Sequence, residues 1–357
     1  QYLFSGDSHL TSFTIPTSVT TIGQCAFENC TLLDNMVIPN SVTTLGNYVF
    51  KGCTNLESVT ISNQVTTLPF EAFRNCTHLN NVTIPSSVTT INNNAFYDCD
   101  ALTSITIPNS VTTIGTSVFQ SCGLLAEVTF EDGCQLTSIP NNTFYQCSSL
   151  TGITIPMSVK TIGNSAFRYC TSLNNVVLHG GLTSIQDWSF ANCTAMENLT
   201  IEEGVTSINR DVFQYSGMRN VVLPSTLSII GINLFYQCNS LETLDVSKCV
   251  NVWELYTYTS LRGSNTIFYG VPSSTKIILP PYAQATLGAN DEVATLEFDL
   301  TQDGEGFYLI NNATDWEKFV VFSRNNPTIN GRLTADISLT AGNARLGIGN
   351  FDNTTQH

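Results

Sequence analysis

The chain has 357 residues, 42% of them apolar, which is ample for a core, yet only 11% are charged, so its polar surface must be mostly Thr, Ser and Asn. Thirteen Lys and Arg against 28 Asp and Glu leave a net charge of −15, the wrong sign for gripping a phosphate backbone, which argues against nucleic acid and anionic membrane as partners. No run approaches the ~18 consecutive apolar residues that a membrane-spanning helix needs.

Phe4 stands six residues before Leu10, as Phe27 stands six before Leu33, so the chain opens part-way through a repeating unit and an upstream segment is expected ahead of Gln1. From Phe27 the same residue returns at 50, 73, 96, 119, 144, 167, 190, 213 and 235, nearly always 23 residues on. A fixed period of about 20 to 50 residues marks a solenoid or a propeller. Cys follows three residues after these Phe, from Cys30 to Cys238, except in the unit ending near Ser216. The aliphatic positions keep the same beat, as in Leu102, Ile105, Ile107, Val111, Ile114 and Val118. The unit reads L-x-x-I-x-I-P-x-S-V-T-T-I-G-x-x-A-F-x-x-C-x-x.

Within one unit, "TSITI" from Thr103 to Ile107 alternates polar and apolar residues and predicts a strand, which Pro108 ends because proline cannot donate to a ladder. A second short extended piece is predicted at "VTTI", Val111 to Ile114, turned by Gly115. The stretch through "SVFQSC" predicts a loose helical turn with its apolar side inward. No unit can bury its own apolar side, so coils must stack at about 4.8 Å and bury it as continuous ladders. The expectation is an α/β solenoid dominated by β structure, of about eleven coils and roughly 50 Å long.

Three departures from the beat follow in chain order. The sixth unit carries two extra residues around "EDGCQL", Glu131 to Leu136, and loses its proline, and "IEEGVTSINRDVF" from Ile201 replaces proline with Glu; both read as drift within a solenoid. After Leu241 about ten residues are inserted, in a stretch holding Trp253, Tyr256 and Tyr258, before "KIILPPYAQATL", Lys276 to Leu287, supplies a final strand. Beyond about residue 291 the repeat is gone, and residues 311–339 predict a helix starting near Thr314 or Asp315, then a turn and a strand.

The copies of "IPNSVTTIGTSVFQSC" resemble the BspA-like class of leucine-rich repeats, found on surface proteins of anaerobic, host-associated bacteria and some protists. The resemblance covers roughly residues 1–290, with 241–290 as an irregular C-terminal cap, and implies a right-handed, curved array whose long strands line the concave face. It also implies a secreted or cell-surface location, anchored at an outer membrane, with the export signal lost along with the missing upstream segment. Residues 291–357 form a small appendage resembling the lead-in to β-rich GLUG-type segments of bacterial surface proteins, as though a downstream domain began there.

Catalysis needs titratable groups converging in a pocket. The four His, at 9, 78, 179 and 357, lie in different coils without metal-ligand spacing, and the twelve Cys contain no C-x-x-C, so no enzyme, metal or cofactor is expected. The ladder Cys read as buried free thiols, with Cys134 and Cys249, off the ladder, as the candidate exceptions.

The outward strand positions carry Thr60, Thr83, Thr106 and Thr200, with Asn220 beside them, an uncharged hydroxyl and amide surface suited to a large partner, or simply good solvent-facing strand residues. Trp253, Tyr256 and Tyr258 are either a binding cluster, as rigid amphipathic aromatics often are, or packing beneath the cap. The resemblance implies a monomeric adhesion module binding a protein or glycan at a cell surface; the alternative is an accessory or spacer module for a catalytic or carbohydrate-active domain downstream.

Overall fold

The computed structural model describes residues 1–249, 269–272, 274–278, 308–310 and 331–333. Two series of short parallel strands alternate along the chain. The longer series runs Asn35–Val37, Ser58–Thr60, Asn81–Thr83, Ser104–Ile107, Glu127–Phe130, Gly152–Ile153, Asn175–Leu178, Asn198–Ile201, Asn220–Val222, Thr243–Asp245 and Lys276–Ile278. Pairing is parallel and in register with the repeat, so that Asn35 faces Ser58 and Ser58 faces Asn81. Side chains alternate as the pleat demands: Ile105 and Ile107 point inward while Ser104 and Thr106 face solvent. The shorter series consists of two-residue strands such as Thr90–Ile91 and Thr113–Ile114, with Thr out and Ile in.

Between the two series the chain turns at the proline. The Pro108 carbonyl accepts the N–H of Val111 at 3.0 Å, and Pro39, Pro85 and Pro156 do the same for Val42, Val88 and Val159. Where proline is replaced the turn survives, since His179 and Glu202 carbonyls accept from Leu182 and Val205. After the short strand Gly115 donates its N–H to the Ile91 carbonyl of the preceding coil at 2.7 Å. A Cβ at Gly115 would run into the backbone of Asn92 and Asn93, so this coil needs glycine there.

The predicted helical turn is replaced by something else, and the described residues contain no helix. In each coil two residues, two before and two after the repeat Phe, sit in the left-handed region: Ser117 at φ 56° and Ser121 at φ 62° flank Phe119, and Asn94 and Asp98 flank Phe96. Left-handed residues four apart break any right-handed helix. The backbone N–H groups of Ser117, Phe119 and Ser121 instead donate to Asn141, Thr143 and Tyr145 of the next coil, at 2.8 to 3.0 Å. The coils are therefore hydrogen-bonded to one another along this turn wall as well as along the strands.

Inside runs a stack of Phe rings from Phe4 to Phe235, with neighbouring centroids 5.0 to 6.0 Å apart and near-parallel planes. The rings from Phe50 onward are fully buried. Their spacing exceeds the ~4.8 Å between paired strands. Successive coils therefore fan apart toward the turn wall and the array bends around its long-strand face.

Beside the rings, each ladder thiol donates to the carbonyl of the Phe one coil back, as Cys122 Sγ does to Phe96 at 3.1 Å and Cys99 to Phe73 at 3.2 Å. All twelve cysteines are buried thiols, including the expected exceptions. Cys134 closes a turn on the Glu131 carbonyl and fills the core at the insertion, and Cys249 donates to the Pro224 carbonyl at 3.6 Å.

Lys276–Ile278 pairs in parallel with Thr243–Asp245, as expected of a last strand. Thr275 Oγ1 fastens it further by donating to the Leu241 carbonyl at 2.6 Å. Trp253, Tyr256, Tyr258 and the helix predicted near Thr314 lie outside the described residues. In the appendage Tyr308–Ile310 and Gly331–Leu333 form a parallel pair of their own, the second falling inside the segment where a strand was expected.

Candidate functional site

The long-strand face is built by alternation. Every second residue of each strand is committed to the core, so the intervening one must face out, and register stacks the outward residues of successive coils. Thr60 pairs with Thr83, Thr106 with Thr129 and Val177 with Thr200. A parallel file starts at Asn35, Ser58 and Asn81 and recurs at Asn175 and Asn220. Thr60, Thr83, Thr106, Thr200 and Asn220 are all exposed, so these five expected residues lie on the same outward side of the long strands, in three paired groups of strands. Its hydroxyls and amides bond laterally in places, as where Ser58 Oγ donates to Asn35 Oδ1 at 2.5 Å. Exposed Val37, Val177 and Val222 interrupt the polar file with apolar steps.

The pairing of the long strands is interrupted twice: between Asn81–Thr83 and Ser104–Ile107, and again at the insertion of Glu131 to Leu136, which the sequence reads as drift. Glu127–Phe130 pairs back onto Ser104–Ile107, and Gly152–Ile153 pairs forward onto Asn175–Leu178, but these two strands do not pair with each other. A groove of about 1040 Å³ lies on this face beside the insertion, flanked by Phe130, the turn at Gly133 (φ 81°), and Met157. Its margin carries Glu127, Glu131, Asp132 and Glu202 and no Lys or Arg. Three of these carboxylates are already used: Glu131 accepts the Asn109 N–H at 3.1 Å, Glu202 the Gly180 N–H at 2.9 Å and Glu127 the Thr129 hydroxyl at 3.4 Å. The only sequence signal of the groove was the 25-residue step from Phe119 to Phe144.

His179, the one buried histidine at this groove, is held by its own turn. Its Nδ1 accepts the Gly181 N–H at 3.1 Å, which leaves Nε2 to donate to the Pro156 carbonyl at 3.0 Å. Both nitrogens are thus occupied structurally. Among the described residues no group of three His, Cys, Asp or Glu converges to hold a metal ion, and no helix is long and apolar enough to cross a membrane. The buried thiols are poor nucleophiles, because burial pushes Cys122 and Cys238 up to about 12.

The turn wall carries a second chemistry that composition did not announce. Arg74 lies over the Tyr97 ring at 4.6 Å and Arg210 over Trp188 at 4.7 Å, while Tyr145 meets Tyr169 edge-on at 5.6 Å. Asp211, mostly buried beneath Arg210, has its carboxyl pushed up by burial. These ring contacts join one coil to the next.

Comparison with known proteins follows the same geometry. No curated protein matches the chain. Among solved structures it is similar to leucine-rich repeat proteins of Eubacterium ventriosum (27% identity, 52% of this chain and 59% of that one, TM-score 0.45) and Bacteroides ovatus (20%, 89% and 88%, 0.46). It is also similar to a leucine rich cell surface protein of Faecalibacterium prausnitzii (22%, 91% and 84%, 0.46). The chain thus spans less than two thirds of the first of these. The profile of the BspA type leucine-rich repeat region, in six copies, matches residues 1–131 and 137–267, and the gap between the two stretches falls on the insertion at the groove. With well over half of its length matched, the chain belongs to the BspA-type leucine-rich repeat family.

Proposed function

We propose that this protein is a non-enzymatic interaction module, displayed at a cell surface, that binds a protein or glycan through its long-strand face. The observation that carries the reading is the series of exposed, locally in-register outward positions at Thr60 and Thr83, Thr106 and Thr129, and Val177 and Thr200, which offers many uncharged donors and acceptors. Each exposed hydrogen bond nets only about 0.5 to 1.5 kcal/mol after water is displaced, so affinity must be gathered over several coils and the partner must be large. The negative charge of −15 turns away polyanions and adds to that selection. The surface location rests on family membership, and the protein acts as a monomer.

A binding screen of the whole chain against purified extracellular-matrix proteins, cell-surface proteins and glycans tests this. Saturable binding to at least one macromolecule, at a monomeric mass by light scattering, is the expected result. Turnover of a substrate by the purified chain, or binding confined to small metabolites, would overturn it.

A further inference from the structure

Of the described histidines, His9 and His78 face solvent, whereas His179 is 4% exposed and stands where Pro39, Pro85, Pro108 and Pro156 open the equivalent turns. In regular coils the serine two residues after proline ties its turn to the coil before, as Ser87 does to Val65 and Ser110 to Val88, each at 2.7 Å. Gly181 occupies that place in the His179 turn and has no side chain to make the tie. The imidazole takes it over: Nε2 donates back to the Pro156 carbonyl at 3.0 Å, while Nδ1 accepts the Gly181 N–H at 3.1 Å. A backbone N–H can only donate, so the second bond exists only while Nδ1 carries no proton.

We propose that His179 is an acid-sensitive latch, whose protonation releases the turn at residues 179–182 and loosens the adjoining end of the strand Asn175–Leu178. Histidine is the side chain whose charge changes between about pH 5 and 8. A proton on Nδ1 sets two donors face to face where a bond had closed the turn. The surroundings do not favour the added charge. The ring is buried, and a Cβ placed on Gly181 would meet both Nδ1, at 2.9 Å, and the Lys160 ammonium of the coil before, at 3.3 Å, so a cation already stands beside that nitrogen. In the coil after, Glu202 accepts the Gly180 N–H at 2.9 Å and Glu203 the Ser225 hydroxyl at 2.8 Å, so both carboxylates are engaged. Of the other acids lining the groove, Glu131 is held by Asn109 and Glu127 by Thr129, and Asp132 belongs to the inserted turn at Gly133. The strand end that is loosened carries Val177, paired with Thr200, so acid reshapes the long-strand face at these two coils. The latch stands on this turn alone and holds whether or not that face binds the partner proposed above.

Amide hydrogen exchange of the whole chain, read by mass spectrometry as protection relative to the intrinsic rate, tests it at about pH 7.5 and pH 5. Protection of the segment 178–184 falls at least tenfold in acid, while the equivalent turn from Pro108 to Val111 stays within twofold. His179→Pro, which installs the residue of the regular turns, removes the pH dependence. His179→Asn does the same, since its amide oxygen accepts at either pH, and it serves where the proline variant does not fold. Unchanged protection of the wild-type segment in acid would overturn the latch. So would an equal loss at the Pro108 turn, which would make the opening global, or an undiminished acid loss in the folded variants.

Discussion

Ser216 Oγ donates to the Phe190 carbonyl at 3.1 Å, the same bond, from the same position, that a cysteine thiol makes in nine other coils at 3.0 to 3.3 Å. The one unit without Cys thus keeps its chemistry. The position selects a small, buried donor aimed at the preceding coil. Ser216→Cys should therefore be nearly neutral, whereas Ser216→Ala, which leaves the Phe190 carbonyl short of a partner, should cost about 1 to 3 kcal/mol. Urea denaturation of the two variants checks this, and equal stabilities would show that the bond contributes nothing.

The thiol ladder makes stability fall in alkali. Burial pushes Cys122 and Cys238 up to about 12, and Cys30, beside Asp7, to about 11, from an ordinary value of 9.0. The unfolded chain loses these protons from about pH 9 while the fold still holds them, so the folded state binds more protons in that window. The stabilisation is complete below pH 9 and is lost as the pH climbs toward 12. Denaturation midpoints measured from pH 8 to pH 11 should decline. In parallel, a thiol-reactive chromophore should titrate the ladder cysteines only after unfolding.

Phe119 lies fully buried between Phe96 and Phe144, at 5.5 and 5.6 Å. Phe119→Ala should cost about 3 to 5 kcal/mol, through lost burial and the cavity left behind. Because coils contact only their neighbours, the loss should open the array around its middle, and hydrogen exchange should rise first near the mutated coil. A change under about 1 kcal/mol would contradict the ladder.

The left-handed residues give a further test. Ser121 at φ 62° tolerates glycine, which has no Cβ to clash, whereas Ser121→Val should cost about 1 to 2 kcal/mol. Thermal melts that rank the valine variant level with the glycine variant would refute the conformational assignment.

Much of this architecture was written in the periodicity. Ile105, Ile107, Val111, Ile114 and Phe119 fall in the core because a 23-residue beat leaves each only one place to go. The turn wall was not legible in the same way. "SVFQSC" has the spacing of a helical turn, and nothing in Ser117 or Ser121 as residue types announces a left-handed backbone, which arises only because their N–H groups bond to the next coil. The Thr60–Thr200 face could be named because strand alternation is a rule of geometry. The groove could not, since two extra residues at Glu131 to Leu136 say nothing in sequence about which side chains will line a depression beside them.

The claim that the long-strand face binds a macromolecule is tested most directly by comparing two sets of glutamate substitutions against whichever protein or glycan the wild-type chain binds. Thr60→Glu, Thr83→Glu and Thr106→Glu together put three charges on the exposed file, while Thr116→Glu with Asn164→Glu charges exposed positions before the turn wall. Surface plasmon resonance should show the first set weakening binding at least tenfold, or ~1.4 kcal/mol, with the second set close to wild type. Unchanged affinity in the first set, with loss in the second, would place the contact on the other side of the solenoid and contradict the account.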